Sequence, residues 1–373
     1  MKKPALIIQI VIFCAFISGF FILNIVTPDK EFSERENRYL TMLPKFSLGD
    51  LRSGKFTKNF EDYIMDQFVF RDSWTTLKAR SELAIGKKEN RDVYLCADDV
   101  LIGEFNRPDF ELIDANIVAI NTLAEDSGVP VYLALVPGAA ELWSDKLPKN
   151  APNYSQVELM TYIYENSNTL PVDMYGNLKE HKSEYIYYRT DHHWTSLGAY
   201  YGYLGLSKAL GFTPAEQSSF DRRIVSEEFY GALYSSSGFS WVNPDSIETF
   251  VRPDESIEII NYPSGSPVEG TLYDESFLDK KDKYSMFMGG NTPQLQIKTG
   301  NEHGGRLLVL RDSYMDSLTP FLLNHFSEIH ILDLRYYKLS VLNYIEENSI
   351  DTVLVCYCVN NFVTDSTVFL AGR

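Results

Sequence analysis

The sequence predicts an α/β fold built on a mostly parallel sheet and preceded by one transmembrane helix. Two observations support this prediction. Nearly continuous apolar runs such as "VPVYLALVPG" and "RLLVLRDSY" are typical of strands covered on both faces, and they alternate with segments of helical periodicity. Strands that alternate with helices pair in parallel through right-handed crossovers. In addition, residues 5–26 form an uncharged apolar run that is long enough to span a bilayer.

We expect the N-terminal segment to remain as a membrane anchor. Lys2 and Lys3 precede the apolar run, and positive charges are retained on the cytoplasmic side of a membrane. A cleaved signal peptide would have a shorter apolar region ending at a small-x-small site, and this sequence has no convincing one. Residues 1–28 are therefore predicted to be a cytoplasmic tip and a single-pass anchor. The rest of the chain would then lie outside the membrane of a bacterial cell.

Composition and charge exclude some classes of function. The chain has 373 residues, enough for one large domain or two ordinary ones. Its 34 basic and 51 acidic residues give a net charge of −17, which would repel nucleic acid. Cys356 and Cys358 would share one face of a strand, where they are poorly aligned for a disulfide and are not spaced as zinc ligands. We expect neither a metal nor a cofactor.

The segment after the anchor is charged and has the apolar spacing of a helix. Residues 29–90 are predicted to be a helical juxtamembrane segment that packs on the main domain. The alternative is a helix lying on the membrane surface. We favour packing on the main domain, because acidic and basic residues are mixed on the polar side of this segment.

Residues 91–373 are predicted to be the main domain. It begins with a hairpin in "DVYLCADDVLIGEF", followed by a helix in "DFELIDANIVAINTLAEDSG" that ends at Gly128. The strand "VPVYLALVPG", a helix over residues 155–168 and a short strand in "LPVDMY" come next. This order of elements is the β-α-β pattern on which the predicted parallel sheet depends.

The amino-acid composition changes in the second half of the main domain. The helix "TSLGAYYGYLGLSKALGF" leads into residues 215–300, which are rich in Pro, Gly, Ser and acids and are predicted to be a β-rich or irregular insertion. The α/β pattern then returns with "GRLLVLRDSY" as a strand. It is followed by a helix with Thr319 as its N-cap and Pro320 at its first position. "EIHILDL", "LSVLNYIEENS" and "DTVLVCYCVNNF" are predicted to be a strand, a helix and a last strand.

One serine and one acid–histidine pair are candidates for chemistry. Ser313 directly follows an apolar strand, the position at which α/β folds hold ligands and nucleophiles, although a serine there can equally be a cap or turn residue. A serine nucleophile needs a histidine base oriented by an acid. Among the six histidines, His193 has an acid, Asp191, two residues before it, and residues i and i+2 of an extended segment share a face. His192 would point elsewhere.

Two other interpretations of this segment remain open. Asp191, His192 and His193 could bind a metal ion, but three consecutive residues on an extended chain diverge, which makes such a site awkward. The histidines could also be buried, hydrogen-bonded residues that cap the following helix.

The segment "YRTDHHWTSLGAY" resembles the signature of the bacterial DHHW family, which is similar to the SGNH-hydrolase-like domains of the alginate O-acetyltransferases. The resemblance covers most of the chain, including the anchor. It extends to "SERENRYLTMLPKF", "DQFVFRD", "MFMGGNTP" and "LLVLRDSYMDSLTPFLLNHF". It implies an SGNH-hydrolase-like three-layer sandwich. It also implies that Asp191, His193 and Ser313 are the acid, the base and the nucleophile.

The resemblance also implies how the motifs are ordered and which residues surround them. Ordinary SGNH enzymes have the serine first in the chain, whereas Ser313 comes last here, so the motif order is circularly permuted. Asn360 is a candidate oxyanion donor, and Gly290 with Asn291 is a rival. Arg311 stands where an SGNH enzyme has glycine, and it would narrow the approach to the serine or supply a positive charge. Trp194 and the tyrosines after it are candidates for stacking on a sugar or for packing in the core.

The function implied by the resemblance is that of a membrane-anchored O-acetyltransferase or acetylesterase. Its substrate would be a cell-envelope or secreted polysaccharide, such as an exopolysaccharide. A membrane-bound O-acyltransferase that passes acetyl groups outward is the implied partner. The alternative is an inactive SGNH-like protein that binds or assembles envelope components. The departure at Arg311 is the feature that supports this alternative.

Overall fold

The computed structural model describes residues 3–252 and 256–373. Contacts divide them into two units. The first unit comprises the described residues up to Asn90 together with Ser235–Ser240, and the second comprises Arg91–Tyr234 and Trp241–Arg373.

The first unit is mainly helical. Its helices and short strands are α1 Lys3–Val26, β1 Phe32–Ser33, β2 Arg38–Tyr39, α2 Leu48–Ser53, α3 Lys55–Gln67, α4 Arg71–Ala84 and β3 Glu89–Asn90. In the described part of the chain, α1 is the one helix long and apolar enough to cross a membrane. The predicted apolar helix is therefore confirmed. A signal sequence near the N-terminus can pass the same test of length and composition.

The second unit contains a large sheet and the helices that cover it. Its strands are β4 Val93–Leu95, β5 Leu101–Gly103, β6 Val131–Val136, β7 Leu170–Val172, β8 Asp221–Phe229, β9 Asp245–Val251, β10 Glu258–Asn261, β11 Val268–Glu269, β12 Gln294–Lys298, β13 Gly305–Arg311, β14 Phe326–Leu332 and β15 Thr352–Cys358. The helices that follow α4 along the chain are α5 Phe110–Asp126, α6 Ala139–Leu142, α7 Gln156–Glu165, α8 Met174–Glu180, α9 Ser196–Leu210, α10 Ala232–Ser237, α11 Tyr314–Leu318, α12 Val341–Glu347 and α13 Val359–Thr364.

The large sheet has the strand order β11-β10-β12-β14-β13-β15-β6-β7. The five strands from β14 to β7 are parallel, whereas β10, β11 and β12 pair antiparallel at one end. The strand β13 lies between β14 and β15, and Val309 is the register partner of both Ile331 and Leu354. Because β13 is covered on both faces, its residues Leu307, Leu308 and Leu310 are fully buried. The predicted mostly parallel sheet is confirmed.

Helices form two groups against this sheet. The helices α5 and α13 contact each other, and α13 also contacts β6 and β15. The helices α8, α9 and α11 form the other group, which contacts β6, β7 and β15. A sheet between two helical layers is the three-layer arrangement that the sequence predicts.

The local predictions succeed where the sequence has turn or cap residues. The predicted hairpin is formed by β4 and β5, with a 3-10 turn at Ala97–Asp99 between them. The helix α5 begins after the N-cap Asp109, and Gly128 beyond its end has a positive φ of 70°. Three strands of the residues predicted to be an insertion, β10 to β12, extend the large sheet.

The predicted helix start at Thr319 is wrong. The helix α11 begins at Tyr314, directly after Ser313, and Thr319 lies in a 3-10 turn that continues it. The Thr319 hydroxyl donates to the Met315 carbonyl at 2.9 Å instead of capping a helix. The helix starts earlier because the Asp312 carboxylate accepts the Tyr314 N–H at 3.0 Å. The short helix α13 after β15 was not predicted.

Candidate active site

Ser313 lies at the carboxyl end of β13, in a short turn between this strand and α11. We call residues 311–314 the serine turn. The turn remains attached to the neighbouring strand, because the Asp312 N–H donates to the Cys356 carbonyl at 3.3 Å. The Asp312 carboxylate also accepts the Cys358 N–H at 2.8 Å and the Asn361 side-chain amide at 2.9 Å. Ser313 is half-buried while its neighbours in the turn are buried, so its hydroxyl faces an accessible region.

The two histidines lie in an irregular loop, not in an extended segment. Tyr187 and Trp194 form an antiparallel bridge, and the chain bends between them. We call residues 189–194 the histidine loop. The expectation that Asp191 and His193 share the face of an extended strand is therefore wrong in its geometry. The two residues meet because one Asp191 oxygen accepts the His193 N–H at 2.9 Å, as in an Asx turn, and contacts His193 Nδ1 at 2.6 Å.

A second carboxylate fixes the start of the histidine loop. Asp245, which is buried at the beginning of β9, accepts the N–H of Arg189 at 2.9 Å and the N–H of Thr190 at 2.7 Å. It also accepts the Thr190 hydroxyl at 2.5 Å. The other Asp191 oxygen accepts the Ala232 N–H at 2.7 Å. The carboxylates of Asp245 and Asp191 thus accept four backbone N–H groups in and beside the histidine loop.

The histidine loop and the serine turn meet at their side chains. His193 Nε2 lies 2.7 Å from Ser313 Oγ, although 120 residues separate the two in the chain. Asp191 is 4% exposed and His193 is 6% exposed. With the Nδ1 proton donated to Asp191, Nε2 is the nitrogen left to accept the serine proton. The structure therefore brings the three predicted residues into one continuous hydrogen-bonded chain.

Electrostatics keep Asp191 ionised. Burial raises the pKa of this carboxyl group, but the neighbouring His192 and His193 and the hydrogen bonds from His193 and Ala232 outweigh it. The net result is a pKa well below the ordinary value of an aspartate. An ionised carboxylate at this position can orient the imidazole and stabilise its protonated form.

Two tyrosines hold the imidazole of His193 in place. The Tyr284 ring stacks on His193 with centroids 3.8 Å apart and an angle of 9° between the planes. Its hydroxyl donates to the Ser313 carbonyl at 3.0 Å, so it links the histidine to the serine turn. On another side, the Tyr314 ring lies 5.1 Å from His193, and its hydroxyl donates to the His192 carbonyl. Tyr284 was not predicted as a site residue, since nothing in "DKYSMFMGG" connects it to a loop about 90 residues earlier.

Arg311 is part of a buried ion cluster. Arg311 is 2% exposed. Its guanidinium lies 3.1 Å from a carboxylate oxygen of Asp316 and 3.8 Å from one of Asp333. It also donates to the Asn291 side-chain oxygen at 3.0 Å. Burial raises the pKa of Asp316 to about 7 even though the charge of Arg311 opposes this shift. The positive charge of Arg311 is therefore compensated beneath the serine turn.

The candidate oxyanion donors have different surroundings. The Ser313 N–H donates to no residue of the described chain. Asn360 is exposed on the first turn of α13, whereas the amide of its neighbour Asn361 is held by Asp312. The Gly290 N–H donates to the Phe287 carbonyl at 3.3 Å and is engaged in its own turn. The Asn291 side-chain oxygen accepts from both Arg311 and Arg335.

The proposed stacking of Trp194 on a sugar is wrong, because this residue is 0% exposed. Its indole N–H donates to the Tyr314 carbonyl at 2.9 Å and contacts the Ser317 hydroxyl at 3.0 Å. The tyrosines that follow, Tyr200 and Tyr203, are also buried. Trp194 therefore connects the histidine loop to α11 from within the core.

Asp191, His192 and His193 also form a group of three potential metal ligands, whose ligand atoms all lie within 4.8 Å of one another. His192 is exposed, and its Nδ1 lies 3.6 Å from Asp191. Metal binding would compete for atoms that are already engaged. His193 uses one nitrogen toward Asp191 and the other toward Ser313, and Asp191 accepts from two backbone N–H groups.

Comparison with known proteins identifies similar sequences and structures. The family model described as DHHW protein matches residues 109–332. The crystal structure of a DHHW family protein from Eubacterium siraeum is 26% identical, covering 75% of this chain and 94% of that chain with a TM-score of 0.64. The structure of Bacillus cereus PatB1 with a sulfonyl adduct is 22% identical, covering 74% of this chain and 98% of that chain with a TM-score of 0.65. No curated protein matches the sequence.

A second structure of Bacillus cereus PatB1 is also similar. It is 22% identical, covering 72% of this chain and 97% of that chain with a TM-score of 0.63. These matches cover nearly the full length of the solved proteins. They confirm the predicted SGNH-hydrolase-like fold.

Proposed function

The chain belongs to the DHHW family, and from this premise we propose that it is a serine-dependent O-acetyltransferase or acetylesterase with Asp191, His193 and Ser313 as its triad. One observation carries the proposal: Asp191, His193 and Ser313 are linked by contacts of 2.6 Å and 2.7 Å. Such a chain is the arrangement that activates a serine hydroxyl, whatever the order of the residues in the sequence.

The proposed reaction proceeds through an acetyl-serine. Ser313 Oγ attacks the carbonyl carbon of an acetyl ester donor while His193 Nε2 takes the hydroxyl proton. The protonated imidazole is stabilised by Asp191 and returns the proton to the leaving alcohol as the ester bond breaks. In the second half, a sugar hydroxyl or water loses its proton to His193 and attacks the acetyl-serine. The acetyl group leaves on the acceptor, and Ser313 regains its proton.

The negative charge of each tetrahedral intermediate needs hydrogen-bond donors. The Ser313 N–H is the first donor that we propose, because it is next to the reacting oxygen and donates to no described residue. The side-chain amide of Asn360 is the proposed second donor, since Asn360 is exposed beyond the end of β15. Asn291 is the rival second donor, through the amide nitrogen that its contacts with Arg311 and Arg335 do not use.

We further propose that α1 stays attached and holds the second unit on the outer side of a bacterial membrane. Lys2 and Lys3 before the apolar run favour a cytoplasmic N-terminus. A cell-envelope or secreted polysaccharide would then be the acceptor, and a membrane-bound O-acyltransferase would be the partner that supplies acetyl groups. An acetyl donor delivered at the membrane is consistent with an enzyme that is tethered to it.

Substitution of the nucleophile tests the proposal. We expect Ser313→Ala to lower turnover of p-nitrophenyl acetate by at least about 1,000-fold, because the remaining site can only bind and polarise the ester. Phenylmethylsulfonyl fluoride should add one sulfonyl group to the wild-type chain, as fluoride leaves and His193 takes the serine proton. The adduct should map to Ser313 by mass spectrometry and be absent from Ser313→Ala.

Two controls separate this proposal from its alternatives. An inactive binding or assembly protein would show neither ester turnover nor Ser313 labelling, and unchanged turnover in Ser313→Ala would overturn the nucleophile assignment. Loss of turnover on chelation with EDTA would favour a metal site at Asp191, His192 and His193.

In cells, the O-acetyl content of envelope polysaccharide should fall when Ser313→Ala replaces the wild-type chain.

A further inference from the structure

The first unit exposes an unusual number of large apolar side chains next to α1. On α3, on α4 and in the turn between them, the exposed apolar residues include Phe60, Ile64, Met65, Phe68, Trp74 and Leu77. Soluble surfaces rarely leave so many large apolar residues together, and such patches mark contact with a partner or a membrane. We call Ile64, Phe68 and Trp74 the apolar collar, because these three residues face α1 across a groove.

The collar and α1 line this groove together. Its walls on the α1 side are Phe16, Ile17, Phe20 and Phe21. The Phe20 ring is stacked on Phe68 with centroids 6.1 Å apart and lies 5.7 Å from Trp74. The contact between α1 and the segment before α4 is also polar at one point, because the Asn24 side-chain oxygen accepts the Val69 N–H at 3.0 Å.

The length of α1 gives the depth of these contacts in a membrane. About 20 helical residues cross a hydrocarbon core of about 30 Å. If the core begins at Pro4, the first residue of the span, it ends near Asn24. Phe16 to Phe21 then lie in the outer half of the hydrocarbon core, and Asn24 lies at its boundary. The collar contacts α1 at these same residues, so it is at the same depth.

An ion network centred on the buried Asp66 connects α3 and α4. Asp66 on α3 accepts two hydrogen bonds from Arg38, at 2.5 Å and 2.9 Å, and lies 3.6 Å from Arg71 at the start of α4. Arg71 also pairs with Glu36 at 2.8 Å. These charges are compensated among themselves. The pKa of Asp66 is well below its ordinary value because the hydrogen bonds from Arg38 outweigh its burial.

We infer that the apolar collar is inserted in the outer leaflet of the membrane, with phospholipid acyl chains filling the groove between the collar and α1. This inference rests on the proposed retention of α1 as a membrane anchor. It differs from the sequence expectation that this segment packs on the main domain. The mixed charges of α3 and α4 suggested that expectation, but part of them belongs to the Asp66 network, and the collar has no charged residue. Aromatic residues such as Trp74 are typical of the membrane boundary.

Cysteine accessibility in a lipid bilayer tests the inference. The full chain, in nanodiscs of dioleoylphosphatidylcholine and dioleoylphosphatidylglycerol, would be treated with a charged, membrane-impermeant maleimide. Ile64→Cys is the test variant, and Leu170→Cys at the sheet edge is the matched control, because the two side chains are 45% and 47% exposed in the protein. Native Cys14 lies in the middle of α1 and reports whether the anchor is embedded.

Peptide mass spectrometry would follow the modification of each cysteine. We expect Ile64→Cys to react at least about tenfold more slowly than Leu170→Cys, because a charged reagent is excluded from the hydrocarbon core, and Cys14 to be unreactive. If Cys14 is protected and Ile64→Cys reacts as fast as Leu170→Cys, the inference is overturned while the anchor stands. The same result would follow if a protein partner, not lipid, covers the collar in cells. A reactive Cys14 would reject the anchor and the inference together.

Discussion

The histidine loop and the serine turn meet at one site, but they are held in different ways. The serine turn continues a strand from the middle of the large sheet, and its hydrogen bonds lead to the end of β15. The histidine loop has irregular backbone whose N–H groups are satisfied by the side chains of Asp191 and Asp245. The serine turn is therefore tied directly to the central strands of the sheet, whereas the part of the histidine loop before the buried Trp194 depends mainly on a few polar contacts.

This difference predicts which property each part controls. A loop positioned by single carboxylates can shift by an ångström without loss of the fold, and a shift of that size costs much catalysis. A turn that extends a strand whose last five residues are buried moves only when the core moves. Changes near the histidine loop should therefore lower activity before stability, whereas changes beneath the serine turn should appear first as changes in stability.

The largest effect is expected for Asp191→Asn. The amide nitrogen of asparagine can donate a hydrogen bond to His193 Nδ1, and this favours the imidazole tautomer with its proton on Nε2, which is unable to take the serine proton. We expect kcat on p-nitrophenyl acetate to fall by about 10,000-fold, with a small change in the melting temperature. Stopped-flow or endpoint assays with parallel thermal melts would measure both.

The neighbouring His192 supplies the control for this prediction. His192 is exposed, so we expect His192→Ala to keep most of the activity. If His192→Ala loses as much activity as Asp191→Asn, the pair would be acting as metal ligands, and the comparison between the loop and the turn would have to be abandoned.

A smaller loss of activity is expected for Gly231→Ala. Gly231 is not part of the histidine loop but lies against Asp191. A methyl group at residue 231 would lie 2.2 Å from Asp191 Cβ and 2.3 Å from its carboxylate oxygen, so Asp191 must move. We expect kcat to fall by about 100-fold, the usual cost of an ångström of misplacement. Gly300→Ala is the matched control, because its methyl group would meet only the Ser256 carbonyl at 3.8 Å. Equal kcat values in the two variants would show that the loop tolerates displacement.

The sequence predicted the serine turn better than the histidine loop for the same physical reason. Buried parallel strands have continuous apolar runs, so β13 and the position of Ser313 at its end follow from local pattern. The start of α11 did not follow, because the sequence signal of Thr319 and Pro320 was weaker than the Asp312 contact with the Tyr314 N–H.

The histidine loop could not be derived from local pattern. Its shape depends on Asp245 and Ala232, more than 40 residues later in a segment that has no clear periodicity. The spacing of Asp191 and His193 indicated the correct pair for the wrong geometric reason. The role of Trp194 stayed open between sugar stacking and core packing, because an aromatic residue beside a site can be core or surface and only tertiary packing distinguishes the two.

The smallest effect concerns the ion cluster beneath the serine turn. Burial raises the pKa of Asp316 to about 7, and the groups that face it are Arg311, His193, Asp333 and Asp312. An unfolded aspartate has a pKa of about 3.9, so the folded state binds the proton more tightly. The stability that this group contributes is therefore fully present below pH 4 and is lost as the pH rises toward 7.

Asp316→Asn removes this titration and isolates its effect. Asparagine is neutral at every pH, and Arg311 keeps Asp333 and Asn291 as partners, so the stability of the variant should not fall with this titration as that of the wild type does. The stability of the wild type relative to the variant should fall by about 2 kcal/mol between pH 5 and pH 7, which corresponds to about 4–8 °C in melting temperature for a unit of this size. Melting curves followed by tryptophan fluorescence at the two pH values would measure it. A gap that stays constant, or a loss of kcat as large as that of Gly231→Ala, would mean that the buried charges position the nucleophile as directly as the polar contacts position His193.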